Sequence, residues 1–367
     1  VAFYDGFFKI TSRTETGRQS ARVFVTGDDI ISDNPDEPDY RWRNQAYALS
    51  MSGLVDNHVG IEATLYSGSF AIKREAKRSA ASFPAESSAD EVGLRSEITF
   101  YTESLNLMYG GFELSFPRLN NVFSGSANIK RTNSNSTVEF WIWLRKELTL
   151  GSFMADVGVH SDVVSIFDRG VSAAGFQPRI NLRYRLSDDW QVKAAYGLFT
   201  QSVITINNED DILTLFEAWI RIPKGLDVEQ AHHFVLGLEG NVAQGLSVSV
   251  QGYHKAYRSL VLYNKDKIYP EDPDFINGTG SASGMELSGR YGSSLVDLYA
   301  AYTLGWTALT AGSMEYAPRY DRRHTVNLLA TVSPVPALDV SLRWEFGSGY
   351  PYTQTVGLYD RITLVDI

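Results

Sequence analysis

The chain has no cysteine among its 367 residues, so it carries no disulfide frame, no thiolate metal site and no cysteine nucleophile. No apolar run approaches the ~18–20 residues that a spanning helix needs. Together with a mean hydropathy of −0.17, this excludes a helical membrane protein. Basic residues are in deficit: 33 Lys and Arg stand against 43 Asp and Glu, a net charge of −10. Phosphate contacts call for a basic face, so nucleic acid is excluded as a partner. No leader is expected either, because Val1 to Ile10 has neither a basic start nor an apolar stretch. With no initiator Met and a non-aromatic end at Val365-Asp366-Ile367, the chain is expected to be a processed or truncated piece.

Aromatics, by contrast, reach 13% beside 30 Gly, a mixture that suits strands and not a disordered chain. Length alone predicts two or three soluble domains. The patterning points elsewhere, since its dominant signal has period 2 and puts successive side chains on opposite faces of a strand. From Leu338 to Phe346, the residues Leu338, Val340, Leu342, Trp344 and Phe346 alternate with Asp339, Ser341, Arg343 and Glu345. Val326, Leu328, Ala330 and Val332 behave alike, and the Pro-containing Ser333 to Ala337 turn joins the two runs into a hairpin. The same reading pairs Ile180–Leu186 with Trp190–Leu198, Phe234–Leu238 with Leu246–Val250, Met285–Tyr291 with Val296–Leu304, Leu94–Leu107 with Phe112–Phe116, and Val138–Leu144 with Phe153–Val159. Weaker hairpins fit Tyr47 to Leu65 and Phe3 to Val25. Eight hairpins predict roughly 16 strands, with one more starting near Tyr359.

Connections alternate as well. Tight turns follow one strand and long polar stretches the next: Asp28 to Asn44, Ser67 to Val92, Leu119 to Ser136, Ser165 to Phe176, Thr200 to Glu229, Tyr257 to Asn277 and Thr307 to Arg322. That rhythm is the signature of a transmembrane β-barrel. A soluble sandwich also alternates, and the placement of aromatics decides between them. Tyr184, Trp190, Tyr291, Tyr302, Trp306, Trp344 and Phe346 fall on the apolar register towards strand ends, where an interfacial girdle belongs. The opposite register carries full charges, among them Arg95, Glu97, Glu139, Arg145, Arg179, Lys193 and Glu345, as a wet lumen requires. The predicted class is all-β, a transmembrane antiparallel up-and-down β-barrel.

Particular segments resemble a known family. Pro318 to Leu328 (PRYDRRHTVNL), Leu338 to Thr353 with its Gly347-Ser348-Gly349-Tyr350-Pro351 end, Gly278 to Leu287, Leu246 to Leu262, and Pro178 to Phe199 are similar, in order and spacing, to late barrel strands of TonB-dependent outer-membrane receptors. The resemblance implies a 22-stranded barrel in the bacterial outer membrane that takes up a scarce or bulky solute. It also implies an N-terminal plug domain and a TonB-type energy-coupling complex acting through that plug. Outer-membrane lipid is implied as the surrounding partner, and a surface lipoprotein is a further partner left open. No segment here matches the plug, its coupling box or the aromatic last strand. Residues 1–367 are therefore expected to form one barrel domain lacking the plug and strands at both ends. Two other readings stay open, a self-contained passive porin of 16–18 strands and an outer-membrane structural or adhesion protein without transport.

Candidate ligand contacts are the loop aromatics Phe216, Trp219, Tyr263, Tyr269, Tyr316, Tyr350 and Tyr352, for which stacking on a sugar or planar chelate competes with plain loop packing. Asp28, Asp29, Asp33 and Asp36 offer oxygen ligands for Ca²⁺, but no EF-hand spacing supports them, and solvated loop charge is the simpler reading. His232 and His233 are adjacent in a strand, face opposite sides and cannot share one metal. Gly280 to Gly284 lacks Ser at the centre of a nucleophile elbow. No Ser/His/Asp set has a supporting context, so neither an enzyme nor a cofactor is expected.

Overall fold

A computed structural model describes residues 1–77, 85–102, 106–124, 130–166, 170–206, 215–269 and 271–351. In chain order the strands are β1 (Ala2–Arg13), β2 (Gly17–Ile30), β3 (Asp39–Leu54), β4 (Val59–Glu75), β5 (Ala85–Tyr101), β6 (Leu107–Ser115), β7 (Arg118–Ser124), β8 (Lys130–Leu150), β9 (Phe153–Ile166) and β10 (Gly170–Arg185). They continue as β11 (Trp190–Gln201), β12 (Val203–Ile206), β13 (Ala218–Arg221), β14 (Glu229–Ala243), β15 (Leu246–Tyr263), β16 (Phe275–Gly292), β17 (Val296–Ala311), β18 (Met314–Tyr316), β19 (His324–Val335) and β20 (Leu338–Gly347). Eighteen of them form a single antiparallel sheet in which chain neighbours pair, and β12 and β13 form a separate two-stranded sheet. β6 and β7 are one strand interrupted at Phe116-Pro117, since both lie between β5 and β8, and Pro117 cannot donate to a ladder. All eight expected hairpins are present. One boundary moves: β5 ends at Tyr101, so Leu107 already belongs to the returning strand. The strand expected near Tyr359 lies outside the described residues.

The short connections sit on one end of the sheet. Gly151 and Gly245, at φ +59° and +76°, make two of them, a conformation that side chains with a Cβ adopt at a cost. The other end departs from expectation. Most of the polar stretches read as long loops are strand: β4 and β5 continue to Glu75 and from Ala85, β7 and β8 pair as far as Ser124 and Lys130, and β15 and β16 pair up to Tyr263 and Phe275. Loops reduce to segments such as 31–38 and 264–269.

Residues directly opposite in a ladder share a face, so the register tests the two-faced reading across the sheet. Leu150, Phe153, Tyr184, Val192, Leu238, Val250, Leu287, Tyr302, Val326 and Phe346 form one unbroken row of paired positions through ten strands, all apolar or aromatic. One residue away, Arg185, Gln191, Glu239, Ser249, Ser288, Ala301, Asn327 and Glu345 form the opposite row, almost wholly polar. The apolar row begins beside the Gly151-Ser152 turn and ends eight residues beyond Leu338, the first residue of β20. This stagger is the tilt that closing a sheet into a barrel demands.

The hairpin of β12 and β13 fixes which face is interior. Its Ile204, Ile206, Ala218 and Ile220 form a buried cluster with Phe275 of β16, and Phe123 of β7 packs against the same cluster. Seven strand spacings separate β7 from β16, which on a flat sheet amounts to about 34 Å. One small hairpin touching both means that the sheet is rolled around it. The buried polar residues beneath the hairpin, Ser87, Asn121, Thr137 and Glu139, lie on the charged register, so the charged face is the lumen and the apolar face is the outer wall.

Candidate functional site

The lumen wall carries a run of aromatic and cationic side chains in mid-strand. Each is placed there by the inward register of its strand, between large apolar residues that point out. Arg95 of β5 lies over the Trp143 ring at 4.8 Å, while the Trp143 indole N–H donates to Glu97 at 2.9 Å. Trp143 stacks on His160 of β9 with centroids 6.3 Å apart and planes 12° off parallel. Further round, Arg179 of β10 covers Phe199 at 4.8 Å, Phe199 contacts His233 at 4.7 Å, and His233 meets the edge of Tyr257 at 6.3 Å. Around them, Arg145 pairs with Glu147 and Asp156, Lys193 with Glu239, and the Tyr66 hydroxyl donates to Glu113 and Glu91. Such a wall offers faces for stacking and guanidinium groups for anions. Cations and carboxylates alternate, so the lumen is not a filter of one sign.

Above this wall, β12 and β13 roof part of the mouth. Arg221 pairs with Glu139 of β8, both side chains less than a tenth exposed. Arg221 also donates to the Thr137 hydroxyl and, at 3.0 Å, to Ser202. The Asn121 amide donates to the Trp219 carbonyl at 2.7 Å, and the Trp219 backbone N–H donates to Ser87 at 3.1 Å.

The expected ligand contacts scatter over this rim. Phe216 packs on the hairpin cluster with Arg74 5.3 Å above its ring, and Trp219 sits in β13 at 36% exposure. Tyr263 packs on Phe275 at 5.1 Å; this is the plain packing that its place in a polar stretch allowed. Tyr269 projects from the loop that follows β15 at 65% exposure. Tyr316 lies in β18 with the Lys265 ammonium 5.7 Å from its ring, and Tyr350 lies under Arg322 at 4.2 Å. Tyr352 lies outside the described residues. Among the described residues, Phe216 and Tyr263 share the hairpin cluster, while Tyr316 and Tyr350 rest on separate cations.

The acidic segment is rearranged as well. Asp28 and Asp29 are strand residues of β2 on opposite faces, and Asp29 is engaged by Arg43 at 2.7 Å. Asp33 and Asp36 remain in the 31–38 loop, where the Asp36 N–H donates to Asn34. Among the described residues no three His, Asp or Glu side chains come together as a metal site. His232 and His233 do face opposite ways: His232 bonds Tyr196 on the outer wall at 3.1 Å, while His233 joins the lumen run.

On the outer wall, Tyr184 and Trp190 stand beside the short-turn end, at the close of β10 and the start of β11. Trp344 and Phe346 stand at the other end of β20, and Trp306 stands in the upper half of β17. Tyr302 lies in the interior of β17, not at its end, with its hydroxyl 2.8 Å from His324. All of these but Tyr302 thus stand towards one end or the other of their strands.

Trp143, His160, Phe199 and Tyr257 escaped the sequence reading. The signal was available: aromatics such as Trp141 and Trp143 occupy the polar register of a strand whose other register is already apolar, and an inward aromatic needs a polar or planar neighbour to face.

The comparisons agree with this architecture. The family model for TonB dependent receptor-like β-barrels matches residues 4–367. No curated protein matches. Among solved structures, the alcaligin outer-membrane receptor FauA of Bordetella pertussis is similar at 14% identity and TM-score 0.66, covering 95% of this chain and 60% of that one. The ferric enterobactin receptor PfeA of Pseudomonas aeruginosa is similar at 12% and 0.71, covering 94% and 57%. The iron transporter FrpB of Neisseria meningitidis is similar at 11% and 0.70, covering 93% and 58%. At these identities the likeness concerns the fold, and the chain spans less than two thirds of the length of each structure. With the family model spanning nearly every residue and the rolled, two-faced meander beneath it, the chain belongs to the TonB-dependent receptor β-barrel family.

Proposed function

We propose that this chain is the barrel portion of a bacterial outer-membrane receptor that takes up a scarce or bulky solute, driven by a TonB-type complex acting on a plug domain. The observation that carries it is the pairing of two opposite rows: an apolar row crossing ten strands outside, and a lumen wall lined by Arg95, Trp143, His160, Arg179, Phe199 and His233 inside. The outer row suits acyl chains, with Tyr184 and Trp190 at one interface and Trp306, Trp344 and Phe346 at the other. The greater length of the solved relatives supports a larger barrel with a plug, in which further strands extend the sheet beyond β1 and β20.

The solute contacts the lumen run and the rim aromatics Trp219, Tyr269 and Tyr350. Because the similar structures carry the names of alcaligin, ferric enterobactin and iron, ferric chelates are the first solutes to test. Cells expressing the full-length protein should accumulate a radiolabelled ferric chelate. Deleting the coupling box should abolish accumulation, and Trp143→Ala combined with Arg179→Met should weaken binding of the chelate at least tenfold. Uptake that persists without the coupling box would establish the passive-porin reading.

A further inference from the structure

We propose that His232, His254 and Arg258 form a site on the outer wall for the phosphate of an anionic lipid headgroup, at the height where the apolar belt ends. The site presupposes a lipid-facing outer wall and nothing about uptake. The ladder brings the three residues together. His232 of β14 lies directly across from Ala256 of β15, and His254 and Arg258 flank Ala256 on the same register of β15. Diagonal neighbours of this kind stand about 7–8 Å apart. Between them the floor is low, because the row of His232 and Ala256 continues through Ser281 of β16 and Ala308 of β17. Its lower edge is aromatic: Phe234 stacks on His254 with centroids 6.4 Å apart, and Trp306 lies on the same row beyond Ser283.

Height, charge and hydrogen bonding each point to a headgroup. His254 stands eight residues above Leu246 at the foot of β15, and His232 eleven above Ala243 at the foot of β14. At about 3.4 Å per residue and a tilt of roughly 40°, this is about 20–30 Å from the short-turn end, where an apolar band about 25 Å tall gives way to headgroups. The outward register of β11, β14 to β17, β19 and β20 has no Asp or Glu, whereas the inward register of these strands carries Glu229, Glu239, Glu286, Asp297, Asp339 and Glu345. Cations on this face therefore have no carboxylate beside them on the wall. Elsewhere on the outer face they do, for Asp29 engages Arg43 at 2.7 Å and Glu75 takes both Arg41 and Lys73. Both histidines are held at Nδ1, His232 by the Tyr196 hydroxyl at 3.1 Å and His254 by the Ser283 hydroxyl at 2.8 Å. A hydroxyl that donates to Nδ1 leaves the ring hydrogen on Nε2. Two Nε2–H donors and a guanidinium then meet an anion, with charge-assisted bonds to its oxygens.

The test uses the full-length protein folded in detergent and titrated with phosphatidic acid, phosphatidylcholine or inorganic phosphate, with bound molecules counted by native mass spectrometry. Phosphatidic acid should be retained about fivefold more tightly than phosphatidylcholine, the effect of one cation near an anionic lipid surface. His232→Phe with His254→Phe and Arg258→Gln keeps the rings, removes the donors and should bring the two lipids to parity. Should that variant fail to fold, Arg258→Gln alone should remove most of the preference. Ser283→Ala frees the His254 ring and should lower retention about twofold, since the ring must then be ordered on binding. Arg41→Met with Lys73→Met, on the sector whose cations are paired, should change nothing. Equal retention of both lipids by the wild type overturns the proposal, and so does an equal loss in the Arg41 and Lys73 variant, which would show general surface charge. Inorganic phosphate retained as tightly as phosphatidic acid would show a site for a free anion and overturns it as well. Insertion into phosphatidylcholine vesicles, read by heat-dependent gel mobility, tests the lipid-facing wall separately. Failure to insert sinks that reading, whereas insertion without lipid preference sinks only this site.

Discussion

The two ends of β8 are one strand in one ladder, yet their sequences have little in common. From Phe140 to Leu150 apolar Phe140, Ile142, Leu144, Leu148 and Leu150 alternate with Trp141, Trp143, Arg145, Glu147 and Thr149. From Lys130 to Thr137 every residue is polar, in both registers. Pairing runs along both halves, to β9 and β6 below and to β7 above, with one break at Phe116-Pro117. The same contrast recurs in β5, where Glu86 to Glu91 is polar or small throughout and Leu94 to Phe100 alternates. Backbone hydrogen bonds make the strand in both halves; alternation appears only where the two faces meet different media. The contrast between faces therefore marks the height of an apolar surround, and its loss marks the height at which both sides are wet.

The largest test of that contrast is a charge placed at each height. Leu236 lies at the middle of β14 on the outer wall, 62% exposed. Leu236→Arg should cost about 2–4 kcal/mol in urea-dependent folding into lipid vesicles, the range for a midplane charge on the lipid face. Thr132, exposed in the upper half of β8, should accept Arg within about 0.5 kcal/mol, as an ordinary surface position does. Equal costs at the two sites would remove the distinction between the halves.

Packing density provides a smaller test. A Cβ on Gly111 in β6 would strike the Trp143 ring and come within 2.6 Å of the Ser96 carbonyl. Gly111→Ala should cost about 1–3 kcal/mol by overpacking, and the displaced indole should lose its bond to Glu97, read as a change in tryptophan emission. At Gly68, towards the upper part of β4, a Cβ meets nothing within 4 Å. Gly68→Ala should stabilise by about 0.5–1 kcal/mol, since it lowers chain entropy without a clash. A destabilised Gly68→Ala would show that the upper wall is packed as tightly as the lower.

This division explains how much could be read from the sequence. All eight hairpins were legible because Leu338 to Phe346 and its counterparts alternate within the apolar surround, where a misplaced charge is costly. The upper extensions were read as loops because stretches such as Lys130 to Thr137 are polar in both registers and have no face to advertise. The hairpin of β12 and β13 was also missed: four-residue strands such as Val203-Ile204-Thr205-Ile206 are too short for a period, and their partners Thr137, Glu139 and Phe275 are distant in the chain. Arg221 and Glu139 are ordinary charged residues until the fold buries them together. Of the rim aromatics, Tyr263 shows the limit of composition as a guide, since nothing local distinguishes a ring packed on Phe275 from one held out like Tyr269.

The smallest effect concerns the loop that follows β15, one of the true loops at the wet end. Its Asp272 carboxylate accepts backbone N–H bonds from Tyr269 and Ile268 at 2.9 and 3.0 Å. Those two bonds hold its pKa below the ordinary value of 3.8. A depressed carboxylate contributes order that is fully present above the ordinary value and is lost as pH falls through the depressed one. Hydrogen-exchange protection of the Ile268 and Tyr269 amides, corrected for intrinsic rates, should therefore stay level down to about pH 4 and then decline, while protection of Leu236 in the barrel wall stays unchanged. Asp272→Asn should flatten that acid dependence, because an amide oxygen accepts the same bonds without titrating. If the decline survives in Asp272→Asn, another carboxylate controls the loop and its order does not rest on this cap.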